Sequence, residues 1–163
     1  MAGCAVRMEV MRIMVAAVGR ARAGPEAALF EHYAKRITVW PFELREVDLR
    51  KNVPAGQLSD AEGALLLDAV PDGAHVIALD EGGKQLSSEA IASLLGALQD
   101  DATRDVVFLI GGADGHSEAV RARADRVMGF GQNTWPHMLV RGLLAEQVYR
   151  AQQILAGHPY HRA

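Results

Sequence analysis

The stretch "DVVFLIGGADGH" (residues 105–116) decides the fold class of this chain. Five consecutive apolar residues, beginning with two β-branched valines, end abruptly at a pair of glycines. A short, uninterrupted apolar run of this kind is typical of a strand that is buried on both faces of a parallel sheet. We therefore predict a buried strand over 105–110, with a glycine-rich loop at its carboxyl end.

Other short apolar runs alternate with stretches of helical periodicity. The predicted strands cover 12–18, 42–49, 75–80, 105–110 and 126–130. The predicted helices cover a segment starting at Pro25 and the segments 58–70, 86–100, 117–124 and 138–156. Ser59 and Glu62 have the spacing of a capping box, and Ser87 or Ser88 is expected to cap the third helix. This order predicts an α/β fold, with a mostly parallel sheet and helices on both faces.

The totals indicate one domain. With 163 residues, of which 50% are apolar and 23% charged, the chain can bury one core. We predict a single domain over 11–163, preceded by an N-terminal extension over 1–10. The apolar runs are much shorter than the roughly 20 residues of a membrane-spanning helix, and no signal-peptide pattern is present. Cys4 is the only cysteine, which excludes an intrachain disulfide, so a cytoplasmic protein is expected.

Charge is unevenly distributed along the chain. The balance of Lys and Arg over Asp and Glu is +3 for residues 1–52, -8 for 53–135 and +2 for 136–163. If the two basic ends meet in space, they form a basic surface on an otherwise acidic protein. A chance distribution of solvated charges would give the same totals.

Three predicted strands end in segments suited to ligand binding. They are Leu79 followed by "DEGGK", "GGADGH" (111–116) and "GFGQNTW" (129–135). Ligands of open α/β sheets bind beyond the carboxyl ends of the strands, where glycines allow close approach of the backbone. The fingerprints of dinucleotide and phosphate-loop sites are absent, and carboxylates in these loops favour an uncharged or cationic ligand. The histidines have no metal-ligand spacing, so no metal site is expected.

The closing helix carries a wide apolar stripe. Val140, Leu144, Val148, Ala151 and Leu155 recur at helical spacing. Such a stripe fits packing against a second subunit, or equally against the protein's own core. Arg141 is placed near the start of this helix, within reach of the glycine loops.

Longer blocks of the sequence resemble a known family. "LDEGGKQLSSE" (79–89), "FLIGGADG" (108–115) and "WPHMLVRGLLAEQVYRAQQILAGHPYHR" (135–162) are similar to the signature blocks of the RlmH family. Its members are pseudouridine N3-methyltransferases of the SPOUT superfamily that act on 23S ribosomal RNA. The similarity covers about residues 11 to 162. Trp135 and Gly142 depart from it, since a smaller apolar residue and a branched one are common there.

The resemblance implies a sheet whose C-terminal part threads a trefoil knot, a homodimer, and S-adenosylmethionine as cofactor. The implied cofactor-binding residues are Leu79, Gly111, Phe130, Gly131, Gln132, Asn133, Thr134 and Trp135. The implied substrate-binding residues are His137, Arg141, Tyr160, His161 and Arg162. Of these, Arg141 and His161 are the candidate catalytic residues. Arg141 would hold a phosphate or the base, and His161 is the candidate acceptor of the N3 proton, because an imidazole titrates near neutral pH. The implied partner is 23S rRNA within the assembled ribosome.

Three other functions remain open on the sequence alone. A methyltransferase of the same fold could act on another RNA. A non-catalytic RNA-binding or ribosome-assembly module would retain the basic ends without needing a cofactor. A small nucleotide-binding enzyme is disfavoured by the missing phosphate motifs.

Overall fold

A computed structural model describes residues 9–162, apart from the side chain of His161. Five strands and five helices alternate along the chain, as the sequence predicted. The strands are β1 (Arg12–Val18), β2 (Phe42–Val47), β3 (His75–Gln85), β4 (Asp105–Ile110) and β5 (Arg126–Gly129). The helices are α1 (Pro25–Ala34), α2 (Leu58–Asp68), α3 (Ser88–Asp100), α4 (Glu118–Arg123) and α5 (His137–Leu155), followed by a terminal 3₁₀ turn over Pro159–Arg162. The predicted extension 1–10 lies almost wholly outside the described residues.

The five strands form one parallel sheet in the order β2-β1-β4-β3-β5. β4 lies between β1 and β3, and each of its six residues is buried. β2 is an edge strand with alternating half-buried and exposed residues. These burial patterns confirm the two predictions: a continuous apolar run forms a strand covered on both faces, and an alternating one forms a partly exposed strand.

Helices cover both faces of the sheet. On one face, α3 and α5 pack on alternate residues of the central strands, with Leu95, Phe108 and Leu144 almost fully buried. On the opposite face, α2 and α4 contribute Leu66 and Val120 to a second core. The α/β architecture with helices on both faces is therefore confirmed. No helix in the described range 9–162 has the length and apolar character needed to cross a membrane.

Two local predictions can be compared with the helix starts. Ser87 caps α3, because its side chain accepts a hydrogen bond from the Ala90 amide at 3.1 Å. The predicted capping box of Ser59 and Glu62 is wrong: α2 already begins at Leu58, without a side-chain cap. Glu62 is instead buried under the loop that follows β4.

The wide stripe of α5 is explained by two neighbours in the same chain, since α5 packs against both α1 and α3. At Gly142, α1 approaches so closely that an added methyl group would lie 2.6 Å from Leu29 Cδ2. The width of the stripe therefore gives no separate support for a second subunit. The homodimer and the knot stay predictions.

Candidate functional site

The three glycine-rich strand ends meet in one cleft of about 640 Å³ at the carboxyl edge of the sheet. Small-molecule sites commonly enclose roughly 300–1,000 Å³. Seven of the eight predicted cofactor-binding residues line the cleft: Leu79, Gly111, Phe130, Gly131, Asn133, Thr134 and Trp135. The eighth, Gln132, belongs to the same loop but is exposed and does not line the cleft.

The first wall is a bulge in β3. Leu79 and Lys84 both pair with Met128 of β5, so residues 80–83 loop out of the sheet between them. A side chain at Gly83 would lie 2.5 Å from the Met128 carbonyl carbon, and one at Gly129 would lie 2.5 Å from the Asp80 carbonyl oxygen. Only glycine fits at these two positions, because the bulge and β5 touch through their backbones.

The bulge carries two carboxylates into the cleft. Asp80 accepts hydrogen bonds from Arg121 Nη2 at 2.7 Å and from the Gly82 amide at 2.9 Å. Burial acts to raise the pKa of Asp80, but these two donors outweigh it and lower the pKa, so the group is ionised at neutral pH. Glu81 accepts a hydrogen bond from Thr134 Oγ1 at 2.9 Å, which ties the bulge to the loop after β5.

The loop after β5 forms the opposite wall. Gly131 has a φ of 97°, a conformation that residues with side chains rarely adopt. Trp135 closes the loop by donating its Nε1 hydrogen to the Phe130 carbonyl at 3.1 Å. Its side chain is nevertheless 41% exposed, so an indole lies at the mouth of the cleft.

The loop after β4 forms the floor and holds a residue that the sequence analysis did not single out. His116 is 5% exposed and lines the cleft. Burial lowers its pKa, although the backbone of Leu79 and the charge of Asp80 partly oppose that effect. The imidazole is therefore neutral at pH 7. A lone histidine after a glycine loop has no recognisable spacing, so no sequence signal distinguished it.

The predicted substrate-binding residues divide between two places. His137 lines the cleft at the first residue of α5, and burial together with the nearby Arg141 charge lowers its pKa. Arg141 is one turn further on and does not line the cleft. Its buried guanidinium donates to Glu46 Oε2 at 2.7 Å and to the carbonyls of Val18 and Gly19 at 2.9 and 2.8 Å. Arg141 thus joins α5 to the ends of β1 and β2, and its catalytic role stays a prediction.

The C-terminal turn lies beside α5, away from the cleft of its own chain. Tyr160 donates a hydrogen bond to Glu146 Oε1 at 3.3 Å, and its ring centre is 4.9 Å from the Tyr149 ring. The Arg150 guanidinium lies 4.9 Å from the centre of the Tyr160 ring. Burial, the Tyr33 hydroxyl and the Glu146 carboxylate raise the pKa of Tyr160 to about 12.

The C-terminal turn is separated from the cleft along the axis of α5. Glu146 is six residues beyond Val140, the last residue of α5 that lines the cleft, which corresponds to about 9 Å along the axis of α5. Neither Tyr160 nor Arg162 lines the cleft, and Arg162 is exposed. The side chain of His161 lies outside the described residues, so its predicted catalytic role is untested.

The sequence matches the family described as "Predicted SPOUT methyltransferase" over residues 11–161. The chain belongs to this family. The match includes all five strands and five helices, and therefore every described wall of the cleft. The resemblance inferred from the three sequence blocks is confirmed.

Relatives within the SPOUT family are similar over nearly their full length. "Ribosomal RNA large subunit methyltransferase H" from Rhodospirillum centenum is 60% identical over 153 residues, which cover 94% of this chain and 100% of that protein. The protein of the same name from Paramagnetospirillum magneticum is 53% identical over 152 residues, covering 93% and 99%. The chain also resembles the crystal structure of a probable methyltransferase from Bordetella pertussis Tohama I. That likeness has a TM-score of 0.55 and 17% identity, covers 88% of this chain and 97% of that one, and supports the fold alone.

Among the described side chains, which do not include that of His161, no group of three or more His, Cys, Asp or Glu has the geometry to hold a metal ion.

Proposed function

We propose that this protein transfers a methyl group from S-adenosylmethionine to N3 of a pseudouridine in 23S ribosomal RNA. The observation that carries the proposal is the single cleft in which the three strand-end loops of a SPOUT methyltransferase meet. The full-length similarity to proteins named ribosomal RNA large subunit methyltransferase H supports rRNA as the substrate. The protein would act in the cytoplasm, on the assembled ribosome.

The lining of the cleft suits S-adenosylmethionine in charge and in its apolar surfaces. Asp80, Glu81 and Asp114 line it together with one arginine, Arg121, so negative charge prevails. This balance suits a ligand that carries a sulfonium and an ammonium group better than a phosphate-rich one. The apolar side chains of Leu79 and Val140 and the rings of Phe130 and Trp135 offer surface to an adenosine group, while the glycine loops present backbone donors and acceptors.

When bound, the cofactor supplies an already activated methyl group: its carbon–sulfur bond breaks with the electron pair left on sulfur, and a carbon–nitrogen bond forms at N3. The protein has to hold the base in line and receive the N3 proton. His137 is the described titratable group that lines the cleft at the start of α5, and its lowered pKa keeps it able to accept a proton. His161 remains the other candidate for that role.

The position of the tail supports a homodimer as the working form. Tyr160 is held beside Glu146, about 9 Å along α5 from Val140, the last residue of this helix that lines its own cleft. Tyr160 and Arg162 do not line the cleft of their own chain, so in this proposal the tail contacts the substrate at the cleft of a second copy. Arg36 beside Tyr160 would add positive charge for RNA phosphates, whereas the charge of Arg150 is balanced by Glu146, whose Oε1 lies 2.6 Å from Arg150 Nη2. The proposal also includes the trefoil knot that the family resemblance implies for the C-terminal part of the chain.

The test combines binding and transfer. Calorimetry with S-adenosylmethionine measures cofactor binding, and mass mapping of 23S rRNA follows the reaction on ribosomes isolated from a deletion strain. We expect saturable binding and one added methyl group on a pseudouridine. Binding without transfer to any rRNA would indicate another RNA target, and the absence of cofactor binding would indicate a binding module.

A matched pair of variants tests the site. Arg162→Ala should reduce transfer while leaving cofactor binding unchanged, because Arg162 is assigned to the RNA substrate and not to the cofactor-binding residues. Thr134→Val should weaken cofactor binding, because it removes the hydrogen bond from the loop to Glu81. If both variants behave like the wild type in both assays, the assignment of the site is wrong.

A further inference from the structure

Glu62 is a buried acid that the proposed reaction does not use. It lies on α2, is 9% exposed, and belongs to the face of the sheet opposite α5. Its Oε2 atom is inaccessible to solvent and has no hydrogen-bond partner among the described residues. An unpaired charge at such a position is costly, so the carboxyl group needs a structural reason to be there.

The carboxyl group lies directly beneath the glycine loop that forms the floor of the cleft. A side chain at Gly112 would lie 2.7 Å from Glu62 Oε2 and 3.1 Å from Oε1. The loop is turned at this point, with the Gly115 amide donating to the Gly112 carbonyl at 3.1 Å. The Glu62 side chain therefore fills the space between Gly112 and α2, and it prevents the loop from moving toward this helix.

The next residue on α2 contacts the other end of the same loop. Gly63 is so close to Ser117 that an added methyl group would overlap its hydroxyl and lie 3.1 Å from Val120 Cγ2. Ser117 in turn caps α4 by accepting a hydrogen bond from the Val120 amide at 3.2 Å. Two consecutive residues of α2 thus support residues 112 and 117, which bracket the floor of the cleft.

We propose that Glu62 is a positioning residue that holds the loop 111–116 at the height required for cofactor binding. The inference rests on the proposed function, because the loop is taken to contact S-adenosylmethionine. Burial raises the pKa of Glu62, and the charges of Asp114 and Asp48 raise it further, which favours the uncharged acid. An uncharged acid needs no cationic partner at this position.

The test compares S-adenosylmethionine affinity by calorimetry, and the KM for the cofactor against kcat, in three variants. Glu62→Gln keeps the size of the side chain without a charge, so we expect wild-type affinity. Glu62→Ala removes the support, so the Kd and the KM for the cofactor should rise at least tenfold while kcat changes much less. Asp68→Ala, which removes an exposed carboxylate from the same helix, is the matched control and should leave all three constants unchanged.

A second pair keeps the proposal falsifiable if Glu62→Ala folds poorly. Gly112→Ala alone should weaken cofactor binding, because its methyl group collides with the carboxyl group. In the Glu62→Ala background the same methyl group fits the vacated space, so the double variant should bind more tightly than either single variant. The proposal would be overturned if the losses of cofactor affinity in the two single variants simply added up in the double variant. Weak cofactor binding by Glu62→Gln would also overturn it. If the wild type binds no S-adenosylmethionine, the proposed function fails instead.

Discussion

Leu29 of α1 occupies the space that a side chain at Gly142 of α5 would need. A methyl group added at Gly142 would lie 2.6 Å from Leu29 Cδ2 and 2.8 Å from Cγ. The contact sets the spacing of these two helices. It also explains a glycine inside α5, where alanine would favour the helix by about 1 kcal/mol.

We therefore expect Gly142→Ala to destabilise the protein. Overpacking of a filled contact costs about 1–3 kcal/mol, which exceeds the gain in helix propensity. The free energy of unfolding in urea measures the net loss. In a Leu29→Ala background the added methyl group has room, so the same substitution should become stabilising.

Gly96→Ala in α3 is the matched control. An added methyl group there meets only the flexible end of Leu155, at 3.1 Å, and Leu155 is 49% exposed and free to shift. This variant should gain up to about 1 kcal/mol. Equal effects at the two glycines would contradict the role assigned to Leu29.

A separate prediction concerns Arg141, whose guanidinium donates hydrogen bonds to the Glu46 carboxylate and to two carbonyl groups at the end of β1. Arg141→Ala should lose about 2–3 kcal/mol of stability, as hydrogen bonds to Glu46 and to two carbonyls disappear. Thermal or urea denaturation measures the loss. A variant that is inactive yet as stable as the wild type would favour direct contact of Arg141 with the substrate.

The ion pair of Glu46 and Arg141 should make the stability of the protein depend on pH. Burial acts to raise the pKa of Glu46, but the Ala21 amide and the Arg141 guanidinium outweigh it and lower the pKa below its ordinary 4.5. The contribution of ionised Glu46 to the free energy of unfolding is therefore complete above pH 4.5 and is lost as the pH falls through the lowered pKa. Glu46→Gln should reduce the acid dependence of the unfolding free energy in this window.

His116 should make the protein less stable in mild acid. Burial lowers its pKa from the ordinary 6.5, so the unfolded chain takes up a proton at a higher pH than the folded chain. The stability is complete above pH 6.5 and is lost as the pH falls through the lowered pKa. His116→Leu should flatten this part of the profile, measured as the free energy of unfolding against pH. His32→Gln, at an exposed position, should not.

Trp135 should report cofactor binding by fluorescence. It is 41% exposed at the mouth of the cleft, whereas the other tryptophan, Trp40, is 1% exposed in the core. S-adenosylmethionine should shift the emission to shorter wavelength as water leaves the indole. Trp135→Phe should abolish the response and Trp40→Phe should retain it. A response that survives in Trp135→Phe would place the ligand elsewhere.

The sequence by itself determined the strands, their order along the chain and the loops that line the cleft. The bounds of β1 and β4 were predicted to the residue, because continuous apolar runs between polar or glycine ends reflect burial on both faces of a sheet. The cleft loops were found because ligands of parallel sheets bind where strands end in glycines.

Only the tertiary structure decided which residues, far apart in the chain, contact one another. β4 inserts between β1 and β3, and this brings the loop after β4 over α2, so that Glu62 supports Gly112 instead of capping a helix. The Arg141 side chain of α5 reaches Glu46 of β2, and the return of the C-terminal turn places Tyr160 beside Glu146. Periodicity reports which residues are buried, but burial alone does not name the partner, because that depends on contacts between residues far apart in the chain.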